Sequence, residues 1–487
     1  MRTLIYSLLA GLLLTLLCCR RDSGKINYGD YPPEIGYIMA NSCAVSGCHN
    51  ALSHKAAASY NLQTWKSMFE GSNSGSPVIP FSSRFSSLCG FINTYPELGI
   101  QNQPSMPFNR PALSREQVKT IRDWIDRGAP DVNGNVMWAD NPRRKKLYAV
   151  NQGCDVVTVF DAATRLPMRY ISVGNKPGED TPHHIRVSPD GDYWYVTFIN
   201  NNIMQKFRCS DDSYVGDIPL TPLAAGTGSE DILDWNLFVI SGDGKRAYCT
   251  SLNANGRVSA VDLVNRRLLH YSAVLYQPHG IVLSGDETRL YVSSQYGNFM
   301  TELDSAFTGA RTLVLENGAS PSVNSLLDPH DMILSPDQEN ILITCQKTNE
   351  VRVFHLPSEK VTHSIPTGVF PQEIIYSEAT NQYFVSCTED YQTLPGATGI
   401  LTRIQGSDYS ATHIKCGYQP HGMAVDETRK VLYVLSRNVS TDGPLPHHTS
   451  ECAGRNGFVN FIDLNTFRVL PGKYELSADP YYIVIRP

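Results

Sequence analysis

The segment Cys43-Ala44-Val45-Ser46-Gly47-Cys48-His49 sets two thiols four residues apart, with a histidine directly after the second. Thiols so placed can form thioethers to the vinyl groups of a porphyrin, and the adjoining imidazole can turn back onto the iron as proximal ligand. The same residues with Cys89 make a Cys₃His set for zinc, although adjacent Cys48 and His49 strain to reach one tetrahedral ion. A plain Cys43–Cys48 disulfide is the third use. Met106-Pro107 lies further along, after a loop, and its thioether is a candidate distal ligand; a neutral sulfur opposite imidazole raises the reduction potential relative to two imidazoles. His54 competes with Met106 for that role, in which case Met106 only packs.

A second set of chemical groups emerges from a repeat. Pro182-His183-His184-Ile185, Pro278-His279-Gly280-Ile281, Pro329-His330-Asp331-Met332 and Pro420-His421-Gly422-Met423 are copies of one pattern, each followed by a turn and an aromatic or aliphatic strand. Weaker copies begin at Trp235-Asn236 and Pro371-Gln372, and Pro480-Tyr481-Tyr482-Ile483 supplies a further one near the C-terminus. Aligned, the copies put His183, Asn236, His279, His330, Gln372, His421 and Tyr481 at one equivalent position, the start of an innermost strand. Such residues should ring one mouth of a central channel. Imidazole is the commonest transition-metal ligand and a proton shuttle near neutral pH, so His183, His279, His330 and His421 are catalytic candidates and the ring is a candidate site for an additional metal ion. Strand-start polar residues that satisfy loop carbonyls and hold water are the alternative. Arg186 and Asp331 are candidate supports for the ring, or simply surface and turn residues.

Two kinds of element must position these groups. Between Pro32 and Pro130 the apolar spacing is helical. The clearest helix runs from Leu113 to Gly128, with Ser114 and Gln117 as a capping box, Val118, Ile121, Trp124 and Ile125 as one apolar face, and Gly128 with Pro130 as the stop. Beyond an Asp-, Asn- and Pro-rich stretch at 132–142, short alternating strands recur about every 40–50 residues, a period suited to four-stranded propeller blades. The unit at Leu147-Tyr148-Ala149-Val150 lacks its opening strand, and the C-terminal segment 479–487 provides one. Seven blades result, closed by pairing the two ends of the repeat.

Tyr-Val strands after Ser-Pro-Asp-Gly turns, as at residues 188–196, resemble the YVTN family of seven-bladed propellers over residues 143–487. The thiol–histidine segment, Ser74 to Pro80, Ser86-Ser87-Leu88, Met106 and the helix ending Trp124-Ile125-Asp126-Arg127-Gly128 together resemble small class I-like bacterial cytochrome c domains over residues 34–131; the four-residue cysteine spacing departs from that family's usual two. The resemblances imply one haem c, covalently held by Cys43 and Cys48 with His49 on the iron and Met106 opposite. The expected fold is multidomain, a small all-α cytochrome c domain followed by an all-β seven-bladed propeller.

Leu4 to Leu17 is an apolar run of signal-peptide length, ending in Cys18-Cys19 and a polar stretch. It resembles a bacterial lipoprotein signal, with residues 1–19 as leader, Cys19 as the lipidation site and residues 20–33 as linker; an uncleaved anchor is the alternative. Both put the body of the chain in the periplasm or at the cell surface, attached to the membrane. Seven of the 12 cysteines lie beyond residue 140, and an oxidising compartment permits disulfides among them. The net charge of -6 gives no basic footprint for nucleic acid. No phosphate-binding glycine loop, nucleophile elbow or paired catalytic carboxylates stand out. The implied activity is extracytoplasmic electron transfer, with the propeller binding a small-molecule substrate or a redox partner protein. Whether the chain is a haem-dependent oxidoreductase or a docking module whose haem only relays electrons stays open.

Overall fold

The computed structural model describes residues 27–176, 178–222, 234–389, 391–448, 452 and 454–487. The leader, its candidate lipidation site Cys19 and the first part of the 20–33 linker lie outside them. Seven four-stranded antiparallel sheets follow one another around an axis. Blade 1 combines Lys146–Asn151, Val156–Asp161 and Pro167–Ser172 with the inner strand Pro480–Ile485, which pairs with Lys146–Asn151. The other six inner strands are Pro182–Val187, Trp235–Ile240, Pro278–Leu283, Pro329–Leu334, Pro371–Ser377 and Pro420–Asp426, so both weaker sequence copies are genuine blades.

Three local features recur with the repeat. First, every inner strand is entered through a non-glycine residue in the left-handed region: Thr181, Asp234, Gln277, Asp328, Phe370, Gln419 and Asp479, with φ from 24° to 59°. Each costs about 1–3 kcal/mol and persists only because its surroundings hold it. Second, the pairing slips by one residue between the first and fourth positions of all seven inner strands. A bulge of this kind re-aims side chains, and here it occurs where the second and third residues meet the axis. Third, the Ser-x-Asp turns close on themselves: Ser188 Oγ donates to Asp190 at 2.5 Å, Ser241 to Asp243 at 2.7 Å and Ser284 to Asp286 at 2.7 Å. Between the blades the core is aliphatic and aromatic, with Trp194, Trp235, Phe238, Phe354, Phe384 and Phe461 fully buried.

The N-terminal region is not a separate all-α domain, contrary to the sequence expectation. Among the described residues its α-helices are four, Pro33–Ile38, Trp65–Met68, Ser87–Ile92 and Arg115–Asp126, joined by long loops. The last is the expected one, capped by Ser114, whose hydroxyl accepts from the Gln117 amide while the Gln117 side chain accepts from the Ser114 amide. What overturns separateness is the packing. One continuous hydrophobic cluster contains Ile35, Val118, Ile121 and Trp124 together with Tyr148, Val157, Met168 and Trp194 of the blades. Helical spacing reveals an apolar face but not how far the core it joins extends, and here that core continues into the propeller. Trp138, within the stretch that read as a linker, is buried in the same cluster. Further contacts run along the outer strands of blades 1 and 7: Phe85 stacks on Tyr170 with centroids 4.5 Å apart, Arg169 donates to the Met137 carbonyl at 3.1 Å, and Gly75 abuts Tyr474.

In blade 7 the stretch between the strands Val431–Ser436 and Asn456–Asp463 is tied down at several points. Cys452 is disulfide-bonded to Cys154 across 298 residues, and His447 and His448 both pack on Phe91 of the N-terminal region, at 5.6 and 5.5 Å. Glu475 accepts from the backbone amides of His447 and His448 at 2.7 and 3.1 Å. Of the remaining propeller cysteines, Cys209, Cys249, Cys345, Cys387 and Cys416 are buried, unoxidised thiols.

A shared core predicts shared unfolding. Scanning calorimetry of the intact chain should show the N-terminal region and blade 1 melting in a single transition; two resolved transitions would contradict a common core. Replacing Cys154 and Cys452 by serine should lower stability by about 2–4 kcal/mol, measurable by denaturant titration.

Candidate functional site

Two constellations carry the chemistry, one in the N-terminal region and one on the propeller axis. In the first, the backbone folds tightly between the thiols: the His49 amide donates to the Cys43 carbonyl at 3.1 Å, and the Cys48 amide to the Val45 carbonyl at 3.0 Å. Cys43, Cys48 and Cys89 are all unoxidised. Burial, and then the neighbouring Cys48, push the Cys43 thiol up to about 12. The His49 Nδ1 lies 3.0 Å from the Tyr60 carbonyl. That contact fixes Nδ1 as the protonated nitrogen and leaves Nε2 with its lone pair, the arrangement seen in metal-ligating histidines. Burial lowers the His49 pKa, favouring the neutral ring. The Tyr60 ring stands edge-on to His49 at 5.8 Å, and its buried hydroxyl has no hydrogen-bond partner.

Met106 is half-buried and packs on the cluster that includes Cys43, Leu88 and Ile92; its amide donates to the Phe91 carbonyl at 2.7 Å. His54 is tied by Nδ1 to the Asn50 carbonyl at 3.1 Å. Free thiols, a neutral imidazole with one nitrogen anchored, an apolar surround and an orphaned hydroxyl are a donor set that fits a covalently held haem. Among the described residues, no three or more His, Cys, Asp or Glu side chains are placed to share a metal ion.

On the axis the seven expected residues do come together, but as a packed plug rather than an open mouth. Ring centroids lie 4.4 Å apart for His183 and Tyr481, 3.9 Å for Tyr481 and His421, 6.2 Å for His421 and His330, and 4.1 Å for His330 and His279. All seven side chains are buried. Burial drives the imidazoles toward neutrality: His279 falls to about 4, and His183, His330 and His421 lie well below the ordinary histidine value.

A layer of residues that sequence reading missed covers this plug. They sit one position past the second strands of blades 1, 5 and 7. Gln152 bonds His183 at 2.7 Å, Gln346 donates to Gln372 at 2.9 Å, and the Arg437 guanidinium lies 4.6 Å from the Tyr481 ring centre. Asp479 holds Arg437 there through two contacts of 2.6 and 2.8 Å. Aligning the ends of the second strands would have revealed them.

Below the plug lies another set, of which the sequence singled out Asp331 but not its neighbours. The third residues of the inner strands include His184, Asp331, Glu373 and Tyr482. Asp331 is buried, not a surface residue, and accepts from the backbone amides of Met332 and Ile374 at 2.8 and 3.0 Å. Glu373 lines the same space, and burial followed by the Asp331 charge raises its pKa well above the ordinary range. The same burial favours the neutral form of Glu373. Arg186 lies over Tyr482 at 5.8 Å and offsets the Asp331 charge. The paired carboxyls, separated by 42 positions in the chain, adjoin because blades 5 and 6 do.

No family model matches the chain, and no curated protein matches it by sequence. Solved structures do. A chain of Kuenenia stuttgartiensis hydrazine synthase aligns with a TM-score of 0.50 and 17% identity, covering 65% of this chain and 92% of that one. A functionally unknown protein from Desulfotomaculum acetoxidans aligns with a TM-score of 0.48 and 12% identity, over 69% of this chain and 99% of the other. The former likeness supports the seven-bladed propeller fold; activity is a separate matter.

Neutral buried histidines make stability depend on pH with a definite sign. The unfolded chain protonates them near the ordinary pKa of about 6.5, while folded His279 resists protonation until about pH 4. Their contribution is therefore complete above the unfolded value and is lost as pH falls through that window, at up to about 1.4 kcal/mol per pH unit per histidine. His279→Gln, which copies the residue already present at position 372, should flatten this slope, checked by denaturant titrations at pH 7.5 and 5.

Proposed function

We propose that this chain is an extracytoplasmic electron-transfer protein that holds one haem c on its N-terminal region and uses the propeller to bind a substrate or redox partner. The observation that carries the reading is the anchored His49. Its Nδ1 is committed to the Tyr60 carbonyl, and both neighbouring thiols are unoxidised in a chain that oxidises Cys154 and Cys452. Cys43 and Cys48 would hold the porphyrin, and His49 and Met106 would be the ligands to its iron. Haem supplies one-electron exchange at iron; the protein supplies orientation, an apolar surround and exclusion of water.

Export is supported by the leader-like sequence and by a disulfide between distant parts of the chain, a bond typical of oxidising compartments. Attachment to the membrane through lipidated Cys19 belongs to the same proposal. The propeller's part is binding. On the ring side the axis is filled by side chains, which suits docking of a partner protein on that face. The opposite side of the plug is open to small molecules.

Expression with cytochrome c maturation should give a Soret band and haem that stays on the polypeptide in denaturing gels. Cys43→Ala with Cys48→Ala should abolish the covalent haem without unfolding the propeller. Absence of haem from the matured wild-type protein sinks the reading. Met106→His should lower the midpoint potential; an unchanged potential would remove Met106 as ligand.

A further inference from the structure

The propeller axis is asymmetric. One end is plugged by the ring, but from the other a cavity of about 520 Å³ reaches inward between the inner strands. Its walls are apolar, formed by Leu283, Met332, Leu334, Ile375, Met423 and Val484 among others, and its lining includes Arg186, Asp331, Glu373 and Tyr482. A closed apolar core would give no reason for charge at this depth. Burying a carboxyl without a full set of partners costs several kcal/mol in principle.

The carboxyls are unequal. Asp331 spends its oxygens on two backbone amides. Glu373 is buried at 3% exposure, and neither carboxyl oxygen has a donor among the protein's own groups; His421 Nδ1, at 3.6 Å from Oε1, stands beyond hydrogen-bond distance. The remaining neighbours supply little. His184 lies in T-shaped contact with Tyr482 at 4.2 Å, and its Nε2 is itself unpartnered. Arg186 provides one positive charge, against two carboxyl groups. The deep end of the cavity thus lacks one cationic donor, and its walls offer room for an aliphatic body.

We infer that this cavity is a binding site for a small organic cation, an aliphatic amine whose ammonium group hydrogen-bonds to Glu373 beside Asp331 while its chain lies along the apolar wall. With the amine absent, Glu373 is held neutral by burial, and Arg186 balances the single charge of Asp331. With it bound, Glu373 ionises: two carboxylates face Arg186 and one ammonium, and charge is again balanced. One proton leaves Glu373 for each ammonium ion that enters. Neutral alcohols lack the compensating charge, and carboxylates would meet Asp331 directly. This deepens the substrate arm of the proposed function, but binding is read without reference to haem, so the two readings fail separately.

The test is isothermal titration of the full-length protein at pH 7 with hexylammonium, hexanol and hexanoate, each in two buffers of different ionisation enthalpy. Hexylammonium should bind at least tenfold more tightly than either isostere, with a buffer-dependent heat equal to release of about one proton. Glu373→Gln should weaken it at least tenfold and abolish the proton release, with the melting temperature showing that the variant folds. Leu283→Trp, which fills the cavity from a half-buried wall position, should weaken hexylammonium with Glu373 intact. Equal or tighter binding of hexanol or hexanoate, no binding of hexylammonium, or an unaltered affinity in both variants would overturn the inference.

Discussion

Closure of the ring is the constraint on which everything else in this molecule depends. Pro480–Ile485 pairs with Lys146–Asn151, and the adjoining Arg486 fixes the joint by donating to the carbonyls of Gly191 at 2.7 Å and Pro142 at 2.8 Å. This one pairing removes two exposed sheet edges. It also brings Tyr481 into contact with His183 on one side and His421 on the other, and Tyr482 against His184. Without it the axis would lack a member of both its layers. The N-terminal region would also lose part of its seat, since Tyr481 and Tyr482 belong to the cluster that includes Trp124.

The axis then shows how a propeller accommodates polarity at its centre. Stacking neutral imidazoles and a phenol fills space with groups that are aromatic in body and polar at the edge, so desolvation is met partly by ring–ring contact and partly by a second layer such as Gln152 and Gln346. The carboxyls below are a different solution: one held by backbone amides, one pushed toward its neutral form by burial, and a guanidinium nearby. Buried charge of this kind is a weak source of stability, which is why its position at the end of a cavity has functional meaning.

Much of the fold was legible in the sequence because propellers repeat. The Pro-His pattern located four inner strands, its weaker echoes located two more, and the unpaired start of blade 1 called for a strand from the C-terminal end. The same alignment brought His183, His279, His330 and His421 together correctly, although it could not say that they pack against one another. Two kinds of fact escaped. Asp331 and Glu373 are neighbours only through the adjacency of blades, so no local spacing pairs them. The autonomy of the N-terminal region was also misjudged. An amphipathic helix such as Arg115–Asp126 looks alike whether its apolar face meets its own domain or another, and periodicity carries no information on the partner.

The left-handed residue that precedes each inner strand, taken with ring closure, has a consequence for how the chain comes to be folded. Blades 2 to 7 each draw their four strands from one contiguous stretch, and each can form as its residues become available. Blade 1 cannot. Its strand Lys146–Asn151, with Leu147, Tyr148 and Val150, waits as an apolar edge until residues more than 300 positions later arrive, and Asp479 must take up its strained turn at that moment. Contacts so distant in sequence form late and slowly, and open edges invite pairing with other chains. The span between first and last strands therefore makes the newly made polypeptide dependent on protection of one particular edge until its C-terminal strand arrives.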